Sequence, residues 1–219
     1  MYLRRSRRIA RLIAELMDHL DLRDVTLAMS DWGGPQLLVS ESVDKRIARL
    51  VITSCEAFDN VPPGLPGKAL GLSARVPGGL NALVQPLRFR PLRRLPVAFG
   101  WMSKRPIPAE VVDGWLRPLL TQRAIRRDLR RYIRTTDSHA LVAAAEALRG
   151  FERPALVAWA AEDRIMPVEH GRRLAELLPQ GRFLEIADSY TLIPSDQPVE
   201  LAGAIRGFVR GTQPQQQAA

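Results

Sequence analysis

The 219-residue sequence predicts an α/β fold: a parallel sheet of about four strands flanked by helices, with a helical insertion. Three features predict it. Short apolar runs alternate with amphipathic helical stretches, the pattern of a sheet covered on both faces. "AMSDWGGPQ" (28–36) reads as a strand, a tight corner and a glycine-led helix. Between about 58 and 137 the alternation stops, and proline, arginine and helical periodicity replace it.

Residues 6–20 set Ile9, Leu12, Ile13, Leu16, Met17 and Leu20 on one helical face. "DVTLAMS" (24–30) is a buried-strand candidate, and Gly33 to about Ser42 a helix whose Pro35 falls in the tolerant first turn. "RLVITSC" (49–55) is the second strand. "VPPGLPG" (61–67) is a breaker cluster expected to end regular structure. Helices are expected at 108–121 and 122–134 with no strand between them. Alternation resumes with a helix at 140–148, "PALVAWA" (154–160) as strand, a helix at 168–178, "RFLEI" (182–186) as strand and an amphipathic helix at 198–210. The division is therefore a core of 1–57 and 138–211, a helical insertion at 58–137 and a disordered polar tail at 212–219.

Composition narrows the function classes. There is no run of eighteen apolar residues, so no membrane span is expected, and the N-terminus makes a poor signal peptide. One cysteine, Cys55, excludes an internal disulfide and suits a cytoplasmic location. Net charge is +9, and 29 of the 32 basic residues are arginine. Clusters at Arg4–Arg11, 88–94 and 123–134 could attract anions. No nucleic-acid motif accompanies them, so nucleic acid is not an expected partner. No metal-ligand spacing or cofactor loop is present, and no metal or cofactor is expected.

The corner offers two nucleophiles, Ser30 and Asp31. A sharp strand-to-helix turn needs small residues after the reactive side chain so that the helix can pack close. Centring the turn on Ser30 puts Trp32 where a small residue is needed. Centring it on Asp31 puts Gly33 and Gly34 there, so Asp31 fits better. As a structural residue, Asp31 would instead cap the helix.

"SDWGG" resembles the nucleophile elbow of the α/β-hydrolase fold, in the aspartate-nucleophile branch of the haloalkane dehalogenases and epoxide hydrolases. "WAAEDRIMPVEHGRRLAELLP" (159–179) is similar to that fold's penultimate strand, acid loop and helix, and "DQPVELAGAIRGFV" (196–209) to its last helix. The resemblance covers roughly 10–210 and implies a helical cap at 58–137. It implies Asp31 as nucleophile, Asp163 as supporting acid (Glu56 or Asp59 being alternatives) and Trp32 as a substrate-binding, halide-holding indole. The implied reaction is attack on an electrophilic carbon of a small organic substrate (ester, epoxide or haloalkane-like), then hydrolysis of the ester by a base-activated water.

Three departures qualify it. Thr191, in "ADSYTLIPSDQP" (187–198), occupies the slot of the base histidine, and neither it nor Tyr190 is a base near neutral pH. His19 and His170 read as exposed helix residues and His139 as a junction residue. Only 23 residues precede Asp24, so the preceding strands and an oxyanion loop are expected to be missing and the elbow strand to be an edge open to self-association. Met29 stands where a small residue is preferred. Turnover is thus expected to be impaired; the alternative is a non-catalytic remnant or interaction module of the same fold.

Overall fold

The computed structural model describes residues 2–31, 34–134 and 138–212. Four strands form one parallel sheet in the order β1-β2-β3-β4: β1 is Val25–Asp31, β2 Ile47–Cys55, β3 Ala155–Ala160 and β4 Gly181–Ile186. Each matches an expected strand to within two residues. In a parallel sheet every strand ends on the same side, so the segments after β1, β2 and β3 meet there.

Alternation along the central strands divides the core in two. Leu50 and Ile52 of β2 join Ala155, Val157 and Trp159 of β3 on one face. Against that face pack α1 (Tyr2–His19), α2 (Gly34–Ser40), α7 (Ser138–Glu146) and α8 (Val168–Leu177), through Met17, Leu37, Leu38, Ala144, Ala145 and Leu174. Val51, Leu156, Ala158 and Ala160 point the other way. They meet Ile193 of the single turn α9 (Ile193–Asp196), and Leu201 and Phe208 of α10 (Pro198–Gly211). The period-two side-chain alternation of β structure produces this split.

Between β2 and β3 the described residues contain no strand. α3 (Gly64–Arg75), α4 (Gly79–Val84), two 3-10 turns at 85–94, α5 (Ala109–Thr121) and α6 (Arg123–Ile133) come first, then α7 and a 3-10 turn at 147–150. The breaker reading of 61–67 is corrected here. α3 starts inside that cluster, because Pro63 serves as its N-cap and Pro66 lies in its first turn, where no intrahelical N–H is required. The tail beyond 212 lies outside the described residues.

Residues 102–105 are fastened to the loops after β3 and β4. The buried Asp196 carboxylate accepts from the Ser103 hydroxyl (2.8 Å) and from the amides of Lys104 (2.8 Å), Arg105 (2.9 Å) and Tyr190 (2.9 Å). Burial alone would raise its pKa, but the four donors outweigh this and hold it below the ordinary value. Leu192 N donates to Met102 O (2.7 Å), and Lys104 Nζ bridges Glu162 (2.6 Å) and Asp188 (2.7 Å).

α8 lies close over β3 because Gly171 has no side chain. A Cβ there would come within 2.6 Å of the Trp159 ring, which is fully buried and anchored by its Nε1 donating to Met166 O (3.0 Å). Gly171→Ala is expected to destabilise the protein by about 1–3 kcal/mol. Gly207→Ala in α10, where nothing lies within 4 Å of the added carbon, should stabilise it by up to about 1 kcal/mol. Denaturant unfolding of both variants beside the parent checks the contrast.

Candidate active site at the strand ends

Asp31 ends β1 with φ of +65°, in the left-handed region that a non-glycine residue occupies at a cost. The β1–β2 register shifts between Met29 and Asp31, where the chain leaves the sheet. Its carbonyl accepts from Glu56 N (2.9 Å), holding the corner to the end of β2. α2 begins at Gly34, so strand, corner and helix follow as expected. Trp32 and Gly33 lie outside the described residues. Ser30, the rejected nucleophile, has a buried hydroxyl without a hydrogen-bond partner among the described residues.

Asp163 lies in the loop after β3. Its Oδ1 accepts from the amides of Ile165 (2.9 Å) and Met166 (2.8 Å) and from the Thr191 hydroxyl (2.7 Å). Oδ2 is buried without a partner among the described residues. Burial raises the Asp163 pKa, with the Met166 amide, the Thr191 hydroxyl and the Ile165 amide pulling the other way. Thr191 is fully buried, so its hydroxyl stands directly on the acid, in the slot where the sequence resemblance places a histidine.

Asp31 keeps a solvent-exposed face, yet the protein around its carboxyl raises its pKa by desolvation, and the Asp163 charge raises it further. The two acids from separate loops are thus electrostatic neighbours. Glu56 is the third. Desolvation, then the Asp31 charge, pushes its pKa up to about 7. Gln36 of α2 donates to the Glu56 carbonyl (2.9 Å), which ties α2 to the end of β2. No ion pair reaches any of these three carboxylates among the described residues.

His170 makes its contacts away from the trio. His19 is exposed, as expected. His170 is half-buried rather than exposed: its ring packs edge-on against Phe58 at 5.3 Å and its Nε2 lies 3.9 Å from the exposed Asp59. Desolvation lowers its pKa. The residues after β2 wrap over α8, a contact invisible in helical periodicity. His139 is exposed. Among the described residues no group of three His, Cys, Asp or Glu is placed to hold a metal ion. Sequence reasoning missed the raised Glu56 pKa and the Asp196 hub; "SDQP", an acid before a proline-led helix, was the one available signal for the latter.

A parallel sheet with an acid at a left-handed strand-to-helix corner, and a second acid after the penultimate strand, defines a class of α/β enzyme-like scaffold. The profile of the alpha/beta hydrolase fold matches residues 5–198, and the chain belongs to that family. It is 31% identical over 108 residues to the uncharacterized hydrolase YugF of Bacillus subtilis (strain 168), a match over 49% of this chain and 38% of that one. The match thus spans well under half of that relative's length. Two solved structures share the fold. One is the 2-hydroxy-6-oxo-6-phenylhexa-2,4-dienoate hydrolase of Rhodococcus sp. strain RHA1 (TM-score 0.70, 14% identity, 89% of this chain and 67% of that one). The other is the enol-lactonase of Burkholderia xenovorans LB400 (TM-score 0.64, 19% identity, 94% and 73%).

The raised Glu56 pKa has a sign. Its value in the folded chain, about 7, exceeds the unfolded one of about 4.3, so folding favours the protonated form. The group then costs nothing below the unfolded pKa, and stability falls as pH rises from there through 7. Glu56→Gln should match the parent near pH ~4 and exceed it by up to about 3 kcal/mol at pH ~8, measured by thermal unfolding across that range.

Proposed function

We propose that this chain is a hydrolase-fold protein acting on a small organic substrate through Asp31 as nucleophile, in the aspartate-dependent dehalogenase and epoxide hydrolase manner. The left-handed conformation of Asp31 at the strand-to-helix corner carries the reading. In this chemistry an Asp31 oxygen attacks an electrophilic carbon, a C–O ester bond forms, and the bond to halide or epoxide oxygen breaks with its electron pair. An ionised carboxylate needs no base for that step. Because burial and Asp163 raise its pKa, alkylation should weaken as pH falls.

Hydrolysis of the ester needs a proton acceptor for water. Thr191 cannot serve, and loss of a general base costs about 10²–10⁴-fold. Glu56, ionising near 7 beside Asp31, is the remaining acceptor, and Asp163 supports the site electrostatically. The second step is therefore slow. Trp32 is proposed to hold the leaving group, and 58–137 to form a cap over the site, an arrangement supported by the fastening of 102–105 to the loops after β3 and β4. The names of the solved neighbours, a dienoate hydrolase and an enol-lactonase, fit a small-molecule substrate. No helix among the described residues is long and apolar enough to cross a membrane. A cytoplasmic location, and self-association through the edge strand β1, belong to the same proposal.

A second reading, a non-catalytic interaction module, is favoured by one contact: the Thr191 hydroxyl on Asp163, closing the slot a base would use. Intact-mass analysis separates the two. Incubation with a reactive alkyl bromide or epoxide should give a single adduct that maps to Asp31, persists for hours and is absent in Asp31→Asn. Thr191→His, if folded by circular dichroism, should shorten the adduct's lifetime at least about tenfold. No adduct at high electrophile concentration defeats the catalytic reading.

A further inference from the structure

Three arginines of the turn at 90–94 line a single cavity of about 200 Å³ inside the helical segment. Arg90, Arg93 and Arg94 share it with Phe99, Ile107 and Val112, and its lining includes no acid and none of Asp31, Glu56 or Asp163. Arg93 and Val112 are buried while Arg90 and Arg94 are exposed, so the cavity is closed at its base and open to solvent beside these two. The wall is held in place: Phe99 N donates to Arg93 O (3.0 Å), and the Phe99 ring lies 6.1 Å from that of Trp115 on α5.

Asp113 of α5 is the one carboxylate that meets these arginines among the described residues. Arg90 Nη2 lies 2.9 Å from its Oδ2 and Arg93 Nη1 2.7 Å from its Oδ1, so positive charge remains in excess. The Arg93 contact lacks hydrogen-bond geometry, and this buried nitrogen has no hydrogen-bond partner among the described residues. Arg94 donates to the backbone carbonyls of Arg105 (3.2 Å) and Lys104 (3.4 Å). Both acceptors are neutral, which leaves the Arg94 charge and its remaining N–H donors open to an anion.

We propose that this cavity binds a small carboxylic acid in its ionised form, with the carboxylate on Arg93 and Arg94 and the apolar body against Phe99, Ile107 and Val112. The planar guanidinium fork matches a carboxylate, and charge-assisted hydrogen bonds of this kind are the strong ones. A concave apolar wall with a few convergent polar groups is the form of a small-molecule site, and the volume lies below the roughly 300–1,000 Å³ that hold drug-sized ligands, so the acid is a small one. An inorganic anion fits less well, because it would gain nothing from the apolar wall. The proposal does not depend on the chemistry at Asp31.

Isothermal titration calorimetry of the full chain with benzoate tests it. Benzoate should bind saturably at one site, and benzyl alcohol, with the same ring and no charge, at least about tenfold more weakly. Acetate and inorganic phosphate, with charge and no ring, should also bind at least about tenfold more weakly. Arg94→Ala should weaken benzoate binding at least about tenfold, as should Ala109→Leu, which fills the same cavity without a change of charge. Arg117→Ala, on α5 outside this cavity, and Asp31→Asn, at the strand ends, should leave it unchanged. Equal affinity for benzoate and benzyl alcohol, tighter binding of phosphate, no saturable binding at millimolar benzoate, or loss with Asp31→Asn and not with Arg94→Ala would each overturn the proposal. The ligand comparison is made on the parent chain, so a variant that fails to fold does not shield it.

Discussion

Parallel pairing brings negative charge together, and among the described residues no ion pair meets it. Asp31 ends one strand of the sheet and Glu56 and Asp163 follow two others, so the topology delivers all three carboxylates to one end. Each is desolvated, and the Asp31 charge presses on Glu56 as the Asp163 charge presses on Asp31. Like charges at short range in a partly dry environment resist joint ionisation, so protonation moves to the weakest member. Glu56, ionising near 7, is that member. The rest of the site is arranged around this constraint: three donors on one oxygen of Asp163, and a backbone clamp from Gln36 that holds Glu56 through its carbonyl and leaves its carboxyl unneutralised.

Asp196 shows how the same fold treats a carboxylate it means to keep charged. Desolvation raises the pKa of both, yet that of Asp196 falls where that of Asp163 rises. The donor count per oxygen contributes to the difference, beside heavier desolvation of Asp163. Both oxygens of Asp196 are satisfied, by one hydroxyl and three amides, whereas Oδ2 of Asp163 has no partner among the described residues. Hydrogen bonds to the ionised form offset desolvation when they are complete, and an orphaned buried acceptor costs about 1–3 kcal/mol. One carboxylate is a structural rivet between the helical segment and the sheet. The other is left electrostatically unfinished at the strand ends.

The fold was largely legible in the sequence, because unbroken apolar runs such as "LVITSC" and "ALVAWA" have few alternatives to a central strand. The strand-to-helix corner at Asp31 was legible for a local reason, two glycines following it. α3 was not, since prolines that break a helix interior are harmless in a first turn and composition alone does not say which applies. Glu56 and Asp196 take their properties from partners remote in sequence, Asp31 in one case and residues 103–105 in the other. His170 read as exposed because its helical position faces outward; the chain after β2 covers it with Phe58. Long-range contacts of that kind leave no periodicity to read.

Thr191 bears on both halves of the proposed chemistry. An imidazole on Asp163 could take a proton and become a cation, setting a positive charge against the cluster. A hydroxyl donates its hydrogen bond and stays neutral, so the Asp163 charge remains uncompensated. That charge raises the Asp31 pKa, which thins the ionised population but makes each carboxylate a stronger nucleophile. In the proposed chemistry a threonine at this position would remove the means of finishing the reaction while leaving the means of starting it, shifted toward higher pH. Under the proposed chemistry a site of that form would favour capture over turnover, because bond formation at Asp31 would draw on the charge already present, and release would wait for a base, the role proposed for Glu56.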